Sequence, residues 1–407
     1  MTSVATSRST WFVKFSIAIC LGAFVAETLW VVLDAPRFAP WADFKVFYAA
    51  GRIVAEGHGH ALYSRDRMAA TLQKTIPGII KYFFNPPVFV LPFVALSFLP
   101  LMRAYWIWSL LSLAALFAGL AVMVRLSRLR GEHAWLLATA ALACEPTFRN
   151  LHHGNISAFV LLLAALFFRD LVEGRERRAG VWLALLMVKP ELFLLSGVVL
   201  AAKKRWDALR TYLACGLALL LISLAIVGIE GFSQYMDLNL TAVRGYNPAE
   251  SELKIREMPN WRGLSVRILG GGILADGLAL GLACLSLFAL GLVWRDSWEP
   301  SQGRFRLQWA LTVLITLLVT PHVHPQSLIL VGLAAALALG HAREENLVAG
   351  LERFPRLALM AVAVSWLPVL DPIWGVTALQ AALIAITGLL LYRLLARPAG
   401  GAQRVPA

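Results

Sequence analysis

Asp43 heads an aromatic stretch that includes Phe44, Phe47 and Tyr48. The three- and four-residue spacing of Trp41, Phe44, Phe47, Tyr48, Gly51 and Val54 predicts a helix starting near it. A helix N-terminus favours an ionised carboxylate, and such a group at a membrane interface can take a proton from an acceptor hydroxyl. The plainer role for Asp43 is an N-cap or first-turn acid. Asp34 and Asp66 suit the chemistry less well, Asp66 because Arg65 and Arg67 flank it.

Lys189 is the second residue of note. It lies in the apolar stretch from Val181 to Val199 and is followed by Pro190 and Glu191. Proline frees backbone groups, which membrane helices tolerate where neighbours or a cavity satisfy them, and an intramembrane cation is a functional candidate by default. Lys189 thus reads either as a site for an anion such as a lipid phosphate or as the internal partner of Glu191. Thr320-Pro321-His322-Val323-His324-Pro325 interrupts two apolar segments, as broken helix ends lining a polar cavity would. His322 and His324 there suit hydrogen bonds to a phosphate or sugar; a metal would need further ligands that are not evident. His152-His153-Gly154-Asn155 either offers polar contacts through His153 and Asn155 or marks a membrane interface. The stretch from Asn247 to Arg267 sets Arg256, Arg262 and Arg267 around Asn260 and Trp261. That mixture suits phosphate and sugar contacts, or a solvated basic loop.

The chain carrying these residues belongs in a membrane. Of 407 residues 59% are hydrophobic and 15% charged, against roughly a quarter charged in a soluble domain. The net charge of +13 comes from basic residues that flank apolar stretches, the pattern of membrane-helix ends and not of a nucleic-acid surface. Soluble enzymes, nucleic-acid binders and disordered chains are excluded. Cys20, Cys144, Cys215 and Cys284 stand singly, which indicates neither a disulfide framework nor a zinc site. The sequence has no P-loop and no nucleophile-elbow serine, so ATP-driven transport and hydrolase chemistry are unsupported.

Apolar segments run from Trp11 to Leu33 and then approximately over 85–98, 101–126, 133–148, 155–172, 178–200, 206–228, 274–295, 306–320, 323–340, 357–370 and 373–394. Read as crossings, they predict an all-α polytopic membrane protein of about twelve helices. It forms a single domain, 1–407, with both ends cytoplasmic. Arg295, Arg304 and Arg306, then Arg343, Arg353 and Arg356, then Arg393, Arg397 and Arg404 mark cytoplasmic connections. Two connectivities compete in the middle. Simple crossings put Arg125, Arg128 and Arg130, and also Arg175, Arg177 and Arg178, outside, against the positive-inside rule. Making 85–126 one crossing with a re-entrant piece, and splitting 178–203 at Pro190, moves both clusters inside and the His152–Asn155 segment outside. Residues 34–83 and 229–273 are external loops under either scheme. The first carries the Asp43 helix, amphipathic and lying on the membrane surface, and a second helix from Arg65 to Ile76, stopped by Pro77-Gly78.

In this order the pieces resemble the membrane mannosyltransferases of glycosyltransferase family 87, a branch of the C-type glycosyltransferase superfamily. The residues that carry the resemblance are Asp43-Phe44-Lys45-Val46-Phe47-Tyr48-Ala49-Ala50-Gly51 with Gly57 and Leu62-Tyr63, and Phe84-Asn85-Pro86-Pro87 with Pro92 and Leu99-Pro100. His153-Gly154-Asn155, Gly180 with Lys189-Pro190, Asn260-Trp261-Arg262-Gly263-Leu264 and Thr320-Pro321-His322 complete the set. Asn85 stands where the family commonly has Tyr, and His153-Gly154-Asn155 replaces the commoner Gly-Gln-x-Asn. The resemblance implies a polyprenyl-phosphate sugar donor, usually mannose, and transfer with inversion outside the cytoplasmic membrane. It also implies that Asp43 is the general base and that neither metal nor cofactor is needed.

The expectation is a multi-pass hexosyltransferase of the cell membrane, its active site extracytoplasmic, moving a hexose to a glycolipid or envelope-glycan acceptor. Lys189, His322, Arg256, Arg262 and Asn260 are expected around the donor phosphate or sugar, with His153, Asn155 and His324 as further polar contacts. The partners are donor, acceptor and membrane lipids, with no nucleic acid. The competing class is a transporter or flippase of a lipid-linked saccharide, which broken helices and a buried lysine would also serve. The long first loop and the lack of an internal repeat favour the enzyme.

Overall fold

In a bilayer no water is at hand to satisfy backbone amides, so spanning segments must bond within themselves; every element among the described residues is a helix or a helical turn. The structure, a computed structural model, describes residues 2–39, 42–73, 82–245, 255–345 and 347–396, with side chains from Thr10 onward except those of 242–245 and 348–351. Trp41, Ile76, Pro77-Gly78, the Asn247 to Lys254 part of the basic loop, Arg397 and Arg404 lie outside the described residues.

Helix α1 (Thr2–Phe38) leads into α2 (Asp43–Ala55) and α3 (Arg65–Gln73). A 3-10 turn, Pro87–Val90, continues into α4 (Leu91–Leu96), and α5 (Leu101–Ser127) follows. Next come α6 (Gly131–Leu142), α7 (Glu145–His153), α8 (Ser157–Val172), α9 (Glu176–Leu185) and α10 (Leu194–Ala202). Helix α11 (Trp206–Gly245) turns at Gly228 (φ 69°, ψ −178°), a conformation open essentially only to glycine. The second predicted loop, 229–273, therefore begins as helix and also holds α12 (Trp261–Leu269). The chain closes with α13 (Ile273–Val293), α14 (Gly303–Val319), α15 (Ile329–Glu344), α16 (Val348–Ser365), the single turn α17 (Leu367–Leu370) and α18 (Pro372–Ala396). Among the described residues seven stretches are long and apolar enough to cross a membrane: Thr10–Phe38, Leu101–Ser127, Trp206–Thr241, Ile273–Val293, Pro325–Glu344, Glu352–Leu370 and Pro372–Ala396.

Ion pairs sort the helix ends into two sets. Arg306 bonds Glu344 (3.0 Å) and the Leu126 carbonyl (3.1 Å), and Arg128 pairs with Glu344 (2.9 Å). Arg304 joins Asp296 and the Leu394 carbonyl, each at 2.6 Å. Lys203 donates to the Asp296 carbonyl, while Arg205 pairs with Glu176 and lies over the Trp298 ring. One end of the bundle thus collects Arg128 after α5, Lys203, Arg205, Arg304 and Arg306, with the start of α9 held there through Glu176. Two elements of the middle region are short or broken. Pro87–Leu96 is only about 15 Å long at 1.5 Å per residue, half a hydrocarbon core, and 178–203 breaks at Lys189-Pro190.

Helix α2 departs from the expected surface helix. Phe44, Lys45, Val46, Phe47, Ala49, Ala50, Gly51 and Ile53 are all buried, so protein and not lipid covers it on most sides. A Cβ at Gly51 would strike the Phe93 carbonyl of α4, and the Tyr48 hydroxyl donates to the Leu99 carbonyl (2.8 Å) ahead of α5. Amphipathicity names an apolar face without naming what covers it; here the Pro87–Leu96 element does.

Candidate functional site

Asp43 is the first residue of α2 and is half-buried. Its Oδ2 accepts a hydrogen bond from Asn155 Nδ2 at 2.9 Å. The amide is oriented for this by Ser157, whose N–H (3.1 Å) and hydroxyl (2.8 Å) both donate to Asn155 Oδ1. Gly154 ends α7 with φ 60°. A Cβ there would sit 2.7 Å from Phe44 Cβ, so glycine allows the turn and the close approach to α2 together. The Trp108 indole N–H donates to the Gly154 carbonyl (2.8 Å). His152, stacked on Phe38 (centroids 3.8 Å apart), places its Nε2 2.9 Å from Asp34 Oδ2. The residue pattern had not suggested this pair, because 118 positions separate its members.

Lys189 falls in the backbone break between α9 and the 3-10 turn Pro190–Leu192. The break is held from three directions. Asn85 Nδ2 donates to the Val188 carbonyl (3.1 Å), Thr320 Oγ1 donates to the Glu191 carbonyl (2.9 Å), and Lys189 Nζ donates to Ser327 Oγ (2.9 Å). The Tyr63 hydroxyl in turn donates to the Asn85 carbonyl (2.6 Å). Asn260 caps α12 by accepting from Gly263 N–H (2.8 Å) and donates to the Thr320 carbonyl (2.8 Å), while Gln380 donates to the Asn260 carbonyl (2.7 Å). Asn260 therefore spends its side chain on docking α12 to the 320–324 corner, and it is fully buried. That docking carries Arg262 towards His322.

The charges lie close enough to act on one another. Lys189 lies within the electrostatic reach of both Glu191 and Asp43, and His322 within that of His324, Lys189 and Arg262. Lys189, Glu191 and His322 each keep part of their surface accessible although protein encloses them on nearly all sides. Groups that line an enclosed cleft behave this way. Burial first, then the charges of His324, Lys189 and Arg262, holds the His322 imidazole well below its ordinary pKa. His322 is thus neutral at physiological pH and offers an N–H instead of a charge. Burial also lowers the Arg262 pKa, and Asp276 opposes that shift; a guanidinium starts high enough to stay charged.

The other predicted positions divide. His324 is half-buried with its ring 4.6 Å from that of His322. His153 is half-buried with its ring 4.9 Å from Phe38, on the Asp43 side. Arg256 stands apart: its side chain is exposed, and its backbone carbonyl accepts from Arg267 (2.6 Å). Ser157 and Ser327 join the site with no local signal in the sequence, and so does Tyr63, which the sequence marked only through the family resemblance. Among the described residues no three His, Cys, Asp or Glu side chains gather as a metal site would require.

Residues 83–321, more than half of the chain, match the model of glycosyltransferase family 87, and the chain belongs to that family. It is a membrane glycosyltransferase. The matched stretch includes Asn155, Lys189, Asn260 and Arg262, and it begins after α2 with Asp43 and ends one residue before His322. No curated protein and no solved structure matches the chain.

Proposed function

From that membership we propose that the protein transfers a hexose, mannose being the first choice, from a polyprenyl-phosphate donor to a glycolipid or envelope-glycan acceptor, with Asp43 as the general base. The observation that carries this reading is that a half-buried carboxylate fixed by Asn155 lies within the electrostatic reach of the enclosed Lys189, which with Arg262 acts in turn on the enclosed His322. Asp43 takes the acceptor hydroxyl proton as that oxygen bonds to the anomeric carbon. The bond from that carbon to the phosphate oxygen breaks on the opposite face, and its electron pair leaves with the polyprenyl phosphate. One displacement inverts the anomeric centre. Charge builds on the leaving phosphate, so the Lys189 ammonium, the Arg262 guanidinium and the neutral His322 N–H lower the barrier where charge develops. Asn155 is a positioning residue, since it acts through Asp43. His153 and His324 are proposed polar contacts at the two margins, and Arg256 a proposed contact to the donor.

The arginine-rich bundle end faces the cytoplasm in this proposal, because short loops rich in Lys and Arg are retained there. The cleft then opens outside the cell membrane, and the helices make about twelve crossings, several by short broken pieces. A flippase for a lipid-linked saccharide remains the second reading, favoured by the break at Lys189-Pro190. Purified protein in vesicles, given a labelled polyprenyl-phosphate mannose and a glycolipid acceptor, separates the two. Released polyprenyl phosphate with labelled acceptor supports transfer; intact donor moved across the bilayer supports the flippase.

A further inference from the structure

We propose that Glu191 is the hexose anchor of the donor pocket, its carboxylate accepting hydroxyl hydrogens of the sugar while Lys189 and Arg262 hold the phosphate. The assignment deepens the proposed function and rests on it. Glu191 sits in the turn Pro190–Leu192, two residues after Lys189, with its carbonyl pinned by Thr320 Oγ1 (2.9 Å). The groups whose charge it shares are Lys189 and the phenol of Tyr235. Glu191 is enclosed by protein on nearly all sides yet keeps part of its surface accessible. Among the described residues its own backbone N–H is the donor near it, and no side chain bonds or pairs with it.

A compensating partner for Lys189 would look different. Lys189 gives its hydrogen bond to Ser327, and no ion pair joins it to Glu191. Of the other buried acids, Asp170 is tied to Arg169, Arg175 and Trp182, and Glu145 to Arg149; Glu27 in α1 is the exception, with neither carboxylate oxygen hydrogen-bonded among the described residues. Were the pocket built for a phosphate alone, a carboxylate inside it would oppose the ligand, because like charges a few ångströms apart repel strongly away from bulk water. A phosphate with a hexose attached reverses that argument. Hydroxyls donate to a carboxylate in charge-assisted bonds, and its two oxygens can take two neighbouring hydroxyls. The cleft then has a cationic pole for the leaving group and an anionic pole for the sugar.

The test is binding, measured on the full-length protein in detergent or nanodiscs with polyprenyl-phosphate mannose and with polyprenyl phosphate lacking a sugar. Glu191→Gln weakens binding of the sugar-bearing lipid at least tenfold, roughly the loss of one hydrogen bond to a charged acceptor, and leaves the bare lipid phosphate bound at least as tightly, since the carboxylate that opposed it is gone. Unchanged affinity for the sugar-bearing lipid, or an equal loss for both lipids, overturns the assignment. The wild-type protein supplies an independent check through a series of donors each missing one sugar hydroxyl. At least one of these binds about tenfold more weakly, and uniform affinity across the series overturns the proposal even where the variant does not fold. Since the readout is binding, a protein that behaves this way but releases no polyprenyl phosphate retains its hexose anchor and loses the transferase reading.

Discussion

Two of the regions that bury charge in this bundle treat it in opposite ways. At the arginine-rich end Asp170 is fully buried, and its two oxygens collect donors from Arg169, Arg175 (2.6 and 2.9 Å) and the Trp182 indole (2.7 Å). Arg306 there bonds Glu344 and the Leu126 carbonyl. At the cleft end Lys189 has a neutral serine for its partner, Glu191 has its own backbone amide, and His322 is kept neutral. Charge that is answered within the protein ties helix ends together. On the proposed reading, charge answered incompletely, in a place that encloses it, is kept for a ligand, and the same residue types carry structure at one end and chemistry at the other.

That contrast breaks most visibly at Asp170. Asp170→Ala strands three donors around a buried position, and a broken buried pair costs about 3 kcal/mol or more. Part of Arg175 reaches solvent, which places the expected loss near the lower end, about 2–3 kcal/mol, read by thermal unfolding, with transfer per folded molecule unchanged. Lys189→Met is the counterpart. It removes a poorly paired buried charge, so stability holds or rises, while the donor KM increases by about tenfold or more through loss of a charge-assisted phosphate contact. Equal stability losses for the two variants would erase the distinction between the ends.

A smaller effect sharpens the account of His322. Its folded pKa lies below the ordinary value near 6.5. As pH falls through about 6.5 the unfolded chain binds a proton that the folded chain refuses, so stability declines by up to about 1.4 kcal/mol per pH unit for that site. Unfolding measured between about pH 7 and pH 5 shows the decline, and His322→Asn flattens it. A slope unchanged by the substitution contradicts the neutral histidine.

The bundle was legible in the sequence wherever apolar runs decide the matter. The expected 101–126 and 373–394 segments became Leu101–Ser127 and Pro372–Ala396, because a lipid-facing helix must be apolar along its whole length. The middle connectivity was ambiguous because Pro87–Leu96 and the pieces around Pro190 are short, and hydropathy over short pieces does not say whether they traverse. Asp43, Lys189 and His322 stood out by residue type, yet the bond between Asp43 and Asn155 spans 112 positions and no local pattern announces it. Asn260 showed the reverse: its motif was visible, but its side chain is consumed by a helix cap and the Thr320 carbonyl. Arg256 was drawn into the site by composition alone, and its exposed side chain reflects how little composition says about direction.

The central claim is that Asp43 removes the acceptor proton, and one comparison addresses it. Purified wild-type and Asp43→Asn proteins are given the same polyprenyl-phosphate mannose and acceptor, with release of polyprenyl phosphate followed over time. The account predicts that kcat falls at least about a hundredfold, within the range that a positioned general base supplies, while the donor KM stays within about twofold. Transfer by the variant at the wild-type rate would contradict it.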